Sequence, residues 1–440
     1  MKIALSSSAA WLAQAALVLL LLGYFFMPIT PVGVNIAIFA SLLLGSLSAS
    51  IRARYAELLR EKVFVYFLLF YALLAVSSLY GLGSLELKLH NLGKYLELAY
   101  LPLLAAIVYK ESYREKALHC FSVSMAITLF LSYLLHFHFP FGDFTFGWNP
   151  MGSVANPSIF KYQITHNFFM AFAVLLWFQL ARRSSGITTK MIYFGLVFLG
   201  LFNVLAMVEG RTGYLTLLAL AVVLILDKLS IKKLIVSFLM LAITAFAAYQ
   251  WIPKVNSKVN LALSEVSAWV PNQGSTTSMG LRLDFWHASY VIFKKSPVFG
   301  SGIAGFDEEY KLLVAGTDRG PSSNPHNQYL LFLNQIGMVG LVAFLWLNWV
   351  IWKESYRLTP LWGLWVRAIV LGYGAANLVN ALLIDSAEGS FFSASLAIAF
   401  SVFLSKSKED LARMPFANAQ NPAERHPKDH HLSVMDNQKK

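Results

Sequence analysis

Three basic side chains stand out by their surroundings. Arg211 lies in Glu209-Gly210-Arg211-Thr212-Gly213, and Arg282 in Gly280-Leu281-Arg282-Leu283-Asp284-Phe285-Trp286. His326 lies in Ser322-Ser323-Asn324-Pro325-His326-Asn327-Gln328-Tyr329. Two guanidinium groups can grip a diphosphate through charge-assisted, often bidentate hydrogen bonds. They can also stabilise the charge that builds on it as it departs. A neutral imidazole nearby can take the proton of an attacking hydroxyl, an effect typically worth about 10²–10⁴-fold in rate. The group as a whole suits transfer from a lipid-borne diphosphate at a membrane surface. Each residue also has a plainer reading: Arg211 as a snorkelling arginine, Arg282 as a surface charge paired with Asp284, His326 as a structural histidine.

The elements that must position these residues are membrane helices. The 440-residue chain is 57% apolar and 13% charged, against about 25% charge in an ordinary soluble protein. Apolar stretches long enough to cross a bilayer core of roughly 30 Å recur along it. They predict about twelve spans, at 9–29, 31–49, 62–80, 91–109, 115–135, 166–181, 190–208, 212–227, 232–252, 326–352, 361–384 and 388–405. The first run reads as a span rather than a cleaved secretory signal, because no small-residue cleavage site follows it. Charge supports the count. Fifteen basic residues fall in even-numbered short loops: Arg52, Arg54, Arg60, Lys62, Lys110, Arg114, Lys116, Arg182, Arg183, Lys190, Lys228, Lys232, Lys233, Lys353 and Arg357. Only Lys88, Lys161 and Arg211 fall in the odd ones. By the positive-inside rule both termini are cytoplasmic, and the three candidate residues face outward. A charge at membrane depth on that side is a functional candidate.

The expected organisation is transmembrane helices 1–9 over residues 1–252 and a large periplasmic loop over 253–325. Helices 10–12 follow over 326–405, then a disordered cytoplasmic tail over 406–440. Within the large loop, amphipathic helices are predicted at 256–269 and 281–295. The net charge of +12 resides mostly in short loops, which favours topology over nucleic-acid binding.

Other motifs carry less. Gly300-Ser301-Gly302-Ile303-Ala304-Gly305 matches a dinucleotide fingerprint by letter, but no strand–helix–strand unit surrounds it, and it reads as a flexible turn after Pro297. His136, His138 and Asp143 contain metal-ligand types, yet aromatic interface anchoring suits the segment better. No metal or other cofactor is expected. The single cysteine, Cys120, excludes an internal disulfide. Lys94 and Glu97 are three apart and predict a shared helix face and an internal pair, with Lys94 as a further donor-diphosphate contact. Lys161 and His166, and Asp385 and Glu388, flank other spans.

Three segments, in this order, resemble the O-antigen ligase/polymerase superfamily: EGRTGYL at 209–215, GLRLDFWHASYVIFKKSPVFGSGIAGF at 280–306 and PHNQYLLFLNQIGMVGLVAF at 325–344. The likeness is strong over 209–345 and rests elsewhere on span count and layout. It implies an all-α polytopic membrane protein, a glycosyltransferase of the C type, working at the periplasmic face of the bacterial inner membrane. Arg211 and Arg282 would bind the diphosphate of an undecaprenyl diphosphate-linked glycan, and His326 would act as base or orient the acceptor. His166, with Asn167, would lie near the donor. Among the family's activities, the layout points to ligation onto lipid A–core. Polymerase is the main alternative, followed by protein O-oligosaccharyltransferase. A lipid-linked glycan transporter is the alternative from outside the family, but it predicts polar groups near the midplane rather than at one face.

Overall fold

The computed structural model describes residues 2–140, 150–226, 231–271, 273–317 and 319–404, with the side chains of 2–9 and 231–234 left aside. Asp143, Lys228 and the tail expected to be disordered lie outside the described residues. The helices, in chain order, are α1 (Lys2–Phe26), α2 (Pro31–Leu47), α3 (Ala49–Leu58), α4 (Lys62–Ser77), α5 (Leu85–Gly93), α6 (Leu96–Ile107) and α7 (Glu111–His136). Then come α8 (Gln163–Arg183), α9 (Ile187–Phe202), a π turn (Asn203–Met207), α10 (Arg211–Leu226), α11 (Ile231–Trp251) and α12 (Pro253–Ser267). The series ends with α13 (Ser278–Lys295), α14 (Gly305–Leu313), α15 (Gln328–Ser355), α16 (Pro360–Ala376) and α17 (Ser386–Phe400).

The chain is an all-helical, multi-pass membrane protein. Among the described residues, five helices are long and apolar enough to cross a bilayer alone, and up to seven spans result if two sharply bent pairs each count as one. Three further apolar helices are shorter: Ala10–Phe26, Lys62–Ser77 and Arg211–Leu226. The centre is α17, buried from Ala387 to Phe400. A helix apolar and covered on every side belongs inside a bundle. Phe391 packs edge-on or tilted against Phe121, Phe169, Phe172 and Trp365, with ring centroids 4.9–6.2 Å apart. Between helices in lipid, close packing of this kind replaces the hydrophobic drive available in water. The outer faces of α9 and α11 show Ile192, Phe198, Leu239 and Phe246, as a lipid-facing surface requires.

Several predicted spans are built differently. The stretch 91–109 breaks at Lys94–Tyr95, where α5 ends and α6 begins. That break separates Lys94 from Glu97. Lys94 donates to Asn91 at 2.9 Å, and the predicted Lys94–Glu97 pair does not form. The stretch 361–384 is helical only to Ala376, and 190–208 ends in the π turn. The loop helices expected at 256–269 and 281–295 correspond to α12 and α13.

The Gly300-Ser301-Gly302 turn is no flexible linker. Helix α15 is broken at Gly337, whose backbone (φ 63°, ψ −161°) is open essentially to glycine alone. Residues 297–302 insert at the break and satisfy its freed groups. Ser301 and Gly302 N–H donate to Asn334 and Gln335 carbonyls at 2.7 and 3.0 Å, and Met338 and Val339 N–H donate to Pro297 and Val298 at 2.9 and 3.2 Å. Irregular backbone at membrane depth survives only with such partners. The splice fastens the segment after α13 to a membrane helix. A Cβ on Gly337 would stand 2.3 Å from the Val298 carbonyl oxygen. Gly337→Ala therefore costs about 1–3 kcal/mol in backbone strain and about 1–3 kcal/mol in overpacking. The expected result is a lower unfolding temperature in detergent and faster proteolysis between α13 and α15. An unchanged melting curve would show that the splice is dispensable.

Candidate active site

Each candidate side chain stands at a helix end. Arg211 is the first residue of α10. Its supporting loop is held from α8, where Asn167 Nδ2 donates to the Val208 carbonyl at 3.0 Å. Gly210 and Gly213 lie so close to Asn167 that a Cβ on either would come within 2.6 Å of it. The nearest carboxylate to Arg211 is Glu265 of α12, at 3.4 Å, longer than the 2.7–2.9 Å of a firm charge-assisted bond. The Nη1 of Arg211 is buried and has no hydrogen-bond partner. Glu265 is itself held, accepting the Met279 N–H at 2.8 Å.

Arg282 lies in the second turn of α13. Its Nε donates to the Val379 carbonyl at 3.1 Å, and its Nη1 reaches Ser278 Oγ at 3.0 Å. It forms no ion pair among the described residues, and Asp284 turns instead to Trp269 Nε1 at 2.9 Å. Burial pushes the Arg282 guanidinium below its ordinary pKa, Arg211 adds to that shift, and Glu265 opposes it. The two arginines are therefore close enough to repel. Both line one polar cleft of about 240 Å³ with Glu209, Lys258 and Glu265. The cleft holds an excess of positive charge, because Lys258 pairs with Glu209 at 2.6 Å and Glu265 faces Arg211, which leaves the charge of Arg282 unbalanced.

His326 precedes α15 by two residues, with φ 49°, an uncommon conformation for a residue with a side chain. Its ring lies 5.7 Å from that of Phe285, tilted by 32°. Phe285 is three residues beyond Arg282, so one face of α13 presents both. Burial, and then the charge of Arg282, hold the His326 imidazole below its ordinary pKa. A base kept neutral next to a cation is suited to accept a proton.

The residues that tie this site together went unnoticed in the sequence. After α16 the chain forms a turn over 377–383, and the helix ends that carry the three candidate residues are fastened to it. Asn327 Nδ2 donates to the Leu378 carbonyl at 2.8 Å, and Gln328 N–H donates to the carbonyls of Asn377 and Asn380. Val379 holds Arg282. Asn380 Nδ2 donates to Thr212 Oγ1 at 2.8 Å, next to Arg211. The only sequence signal was a pair of asparagines, Asn377 and Asn380, inside an apolar stretch.

Two other expected contacts lie elsewhere. His166 is buried, and its Nε2 meets Asn203 Oδ1 at 3.0 Å in a chain that continues to Ser132. It braces the π turn and does not line the arginine cleft, whereas Gln163 and Ile164 do. Lys94 lines a different cleft. His136 bonds to the Val154 carbonyl at 3.2 Å.

Comparison with known proteins bears on the stretch that carries all three residues. Residues 195–345 match the family described as O-antigen ligase. This segment is similar to the O-antigen ligase family. The match takes in Arg211, Arg282, His326 and the Gly337 splice. A Haemophilus influenzae protein described as uncharacterized is 28% identical over 165 residues, covering 36% of this chain. The chain spans 41% of that relative's length.

Proposed function

We propose that this protein is an O-antigen ligase. It moves a glycan from undecaprenyl diphosphate to a sugar hydroxyl of lipid A–core, at the periplasmic face of a bacterial inner membrane. The observation that carries the reading is the meeting of Arg211 and Arg282 in one cleft, with His326 beside Arg282. In this reading the chain has about twelve spans, both termini are cytoplasmic, and the fold is that of a C-type glycosyltransferase.

The donor diphosphate takes the place that Glu265 only loosely fills beside Arg211. Phosphate oxygens accept from the unpartnered Nη1 of Arg211, from Arg282 and from the open N–H groups at the start of α10, where a helix N-terminus favours an anion. A prenyl chain needs an apolar path from that point. An apolar cavity of about 680 Å³ opens between α8, α9, α10, α11 and α12, lined by Tyr214, Leu218, Leu241, Ala245, Val255 and Val259. Val259 directly follows Lys258 of the arginine cleft, so headgroup and tail sites share walls. His326 takes the proton of the acceptor hydroxyl as that oxygen attacks the anomeric carbon. The carbon–oxygen bond to the diphosphate breaks on the opposite side, the configuration inverts, and undecaprenyl diphosphate leaves on the arginines. The residues drawn into this mechanism call for no metal.

The test is an assay of the purified full chain in detergent, with lipid-linked glycan as donor and either lipid A–core or a second lipid-linked glycan as acceptor. Transfer to lipid A–core is expected. Lengthened lipid-linked chains in its place would make the protein a polymerase. A transporter would need a sealed compartment and would yield no product in detergent.

A further inference from the structure

A second polar cleft, sharing no lining residue with the arginine cleft, opens between α5, α14 and the turn at 321–323. It encloses about 460 Å³ and is lined by His90, Asn91, Lys94, Asp307, Glu308, Lys311 and Ser322, among others. Its floor is built. Asn91 is 4% exposed; it accepts from Lys94 Nζ at 2.9 Å and donates to Asp307 Oδ2 at 2.5 Å. Burial, with a smaller contribution from Glu308, raises the Asp307 carboxyl, while Asn91, Lys94 and His90 pull it back down. None of His90, Lys94 and Lys311 is in an ion pair among the described residues. An amide, two carboxyl groups and hydroxyls offer partners to sugar hydroxyls, and the basic groups among them offer partners to an anionic substituent.

The cleft is tied to His326 along both walls. On one side, Ser322 Oγ donates to the Asn324 carbonyl, and Asn324 Oδ1 accepts the His326 N–H, each at 2.9 Å. On the other, Tyr95 follows Lys94, and its hydroxyl accepts from Gln328 Nε2 at 3.3 Å, two residues beyond His326. Lys94 also lies within electrostatic reach of Asp385, which opens α17 just after the 377–383 turn. With the diphosphate on the arginines, an acceptor of several sugars must rest outside their cleft while one hydroxyl reaches His326.

We propose that this second cleft is the acceptor subsite, and that it takes a saccharide bearing a phosphate or carboxylate group. The proposal rests on the glycan-transfer reading above. Two measurements on the full chain in detergent test it. The first is transfer kinetics with phosphorylated rough lipopolysaccharide as acceptor, compared with the same material after dephosphorylation. Lys94→Ala with Lys311→Ala should raise the acceptor KM at least about tenfold, the ratio expected from one lost charged hydrogen bond. Donor KM should hold, and arginine at both positions should restore most of the loss. If dephosphorylation alone weakens the wild type and removes the effect of the double substitution, the group is phosphate. If the double substitution still weakens the dephosphorylated acceptor, the group is carboxylate. The second measurement is native mass spectrometry with soluble phosphorylated core oligosaccharide, which needs no transfer. Wild type should bind it and the double variant should not. Equal binding and an unchanged acceptor KM in the double variant would overturn the proposal. A wild type that binds the oligosaccharide but transfers nothing would count against the enzymatic reading and leave the cleft standing.

Discussion

Alanine at Arg211 or at Arg282 should lower glycan transfer by about 10²–10³-fold, the usual loss when one preorganised donor to a developing anion is removed. The structure argues that this loss is functional and not a by-product of unfolding. Arg282 is held by the Val379 carbonyl and Ser278, its charge disfavoured by burial and by Arg211. A base whose pKa is depressed on folding costs stability wherever it is charged, so a neutral Arg282→Gln should hold or raise the unfolding temperature while transfer collapses. Lysine restores little at either position, because a point charge cannot reproduce the planar fork that grips a phosphate at two oxygens. The double variant loses less than the product of the two single losses, since both side chains act on one group. Radiolabelled donor consumption with a melting curve on each variant checks all of this. Near-normal transfer in either single variant would remove that arginine from the mechanism.

The arginines and His326 drew notice in the sequence as candidates because they depart from a charge pattern. Basic residues gather in the even-numbered short loops, so those on the other side draw notice. The helices were legible because lipid demands long apolar runs. What remained hidden was the means by which separate helix ends meet. The 377–383 turn works mainly through carbonyls and asparagine amides, at Asn377, Leu378, Val379 and Asn380, within a stretch whose hydropathy reads as the end of a span. The Gly337 break is likewise invisible to hydropathy, since its missing hydrogen bonds are supplied from forty residues upstream by backbone alone. His166 shows the converse. A histidine–asparagine pair at a helix start suggested ligand contact, yet Asn203 and Ser132 lay far off in sequence and only the fold shows them closing around it. The match over 195–345 covers the positions whose spacing was informative and leaves the asparagine turn outside it.

Replacing His326 with asparagine should reduce transfer by about 10²–10⁴-fold, the range for losing a positioned general base, and leave the fold intact. Asparagine is the suitable substitute because it tolerates the positive φ that this position imposes, whereas a β-branched residue would add strain of its own. Titration gives the sharper test. Burial and Arg282 hold the imidazole below the ordinary histidine value, and the reaction needs the neutral ring. Wild-type transfer should therefore stay on its plateau at about pH 6.5, where an unperturbed histidine is half protonated, and fall only at lower pH. Removing the neighbouring cation reverses part of that shift. The residual activity of Arg282→Gln should thus begin to fail at a higher pH than the wild type does, because its His326 is protonated sooner. A simple loss of donor affinity would lower the rate at every pH and leave the limb in place. An acid limb unmoved by Arg282→Gln would mean that the titrating group is not His326, and the proton would have to leave by another route.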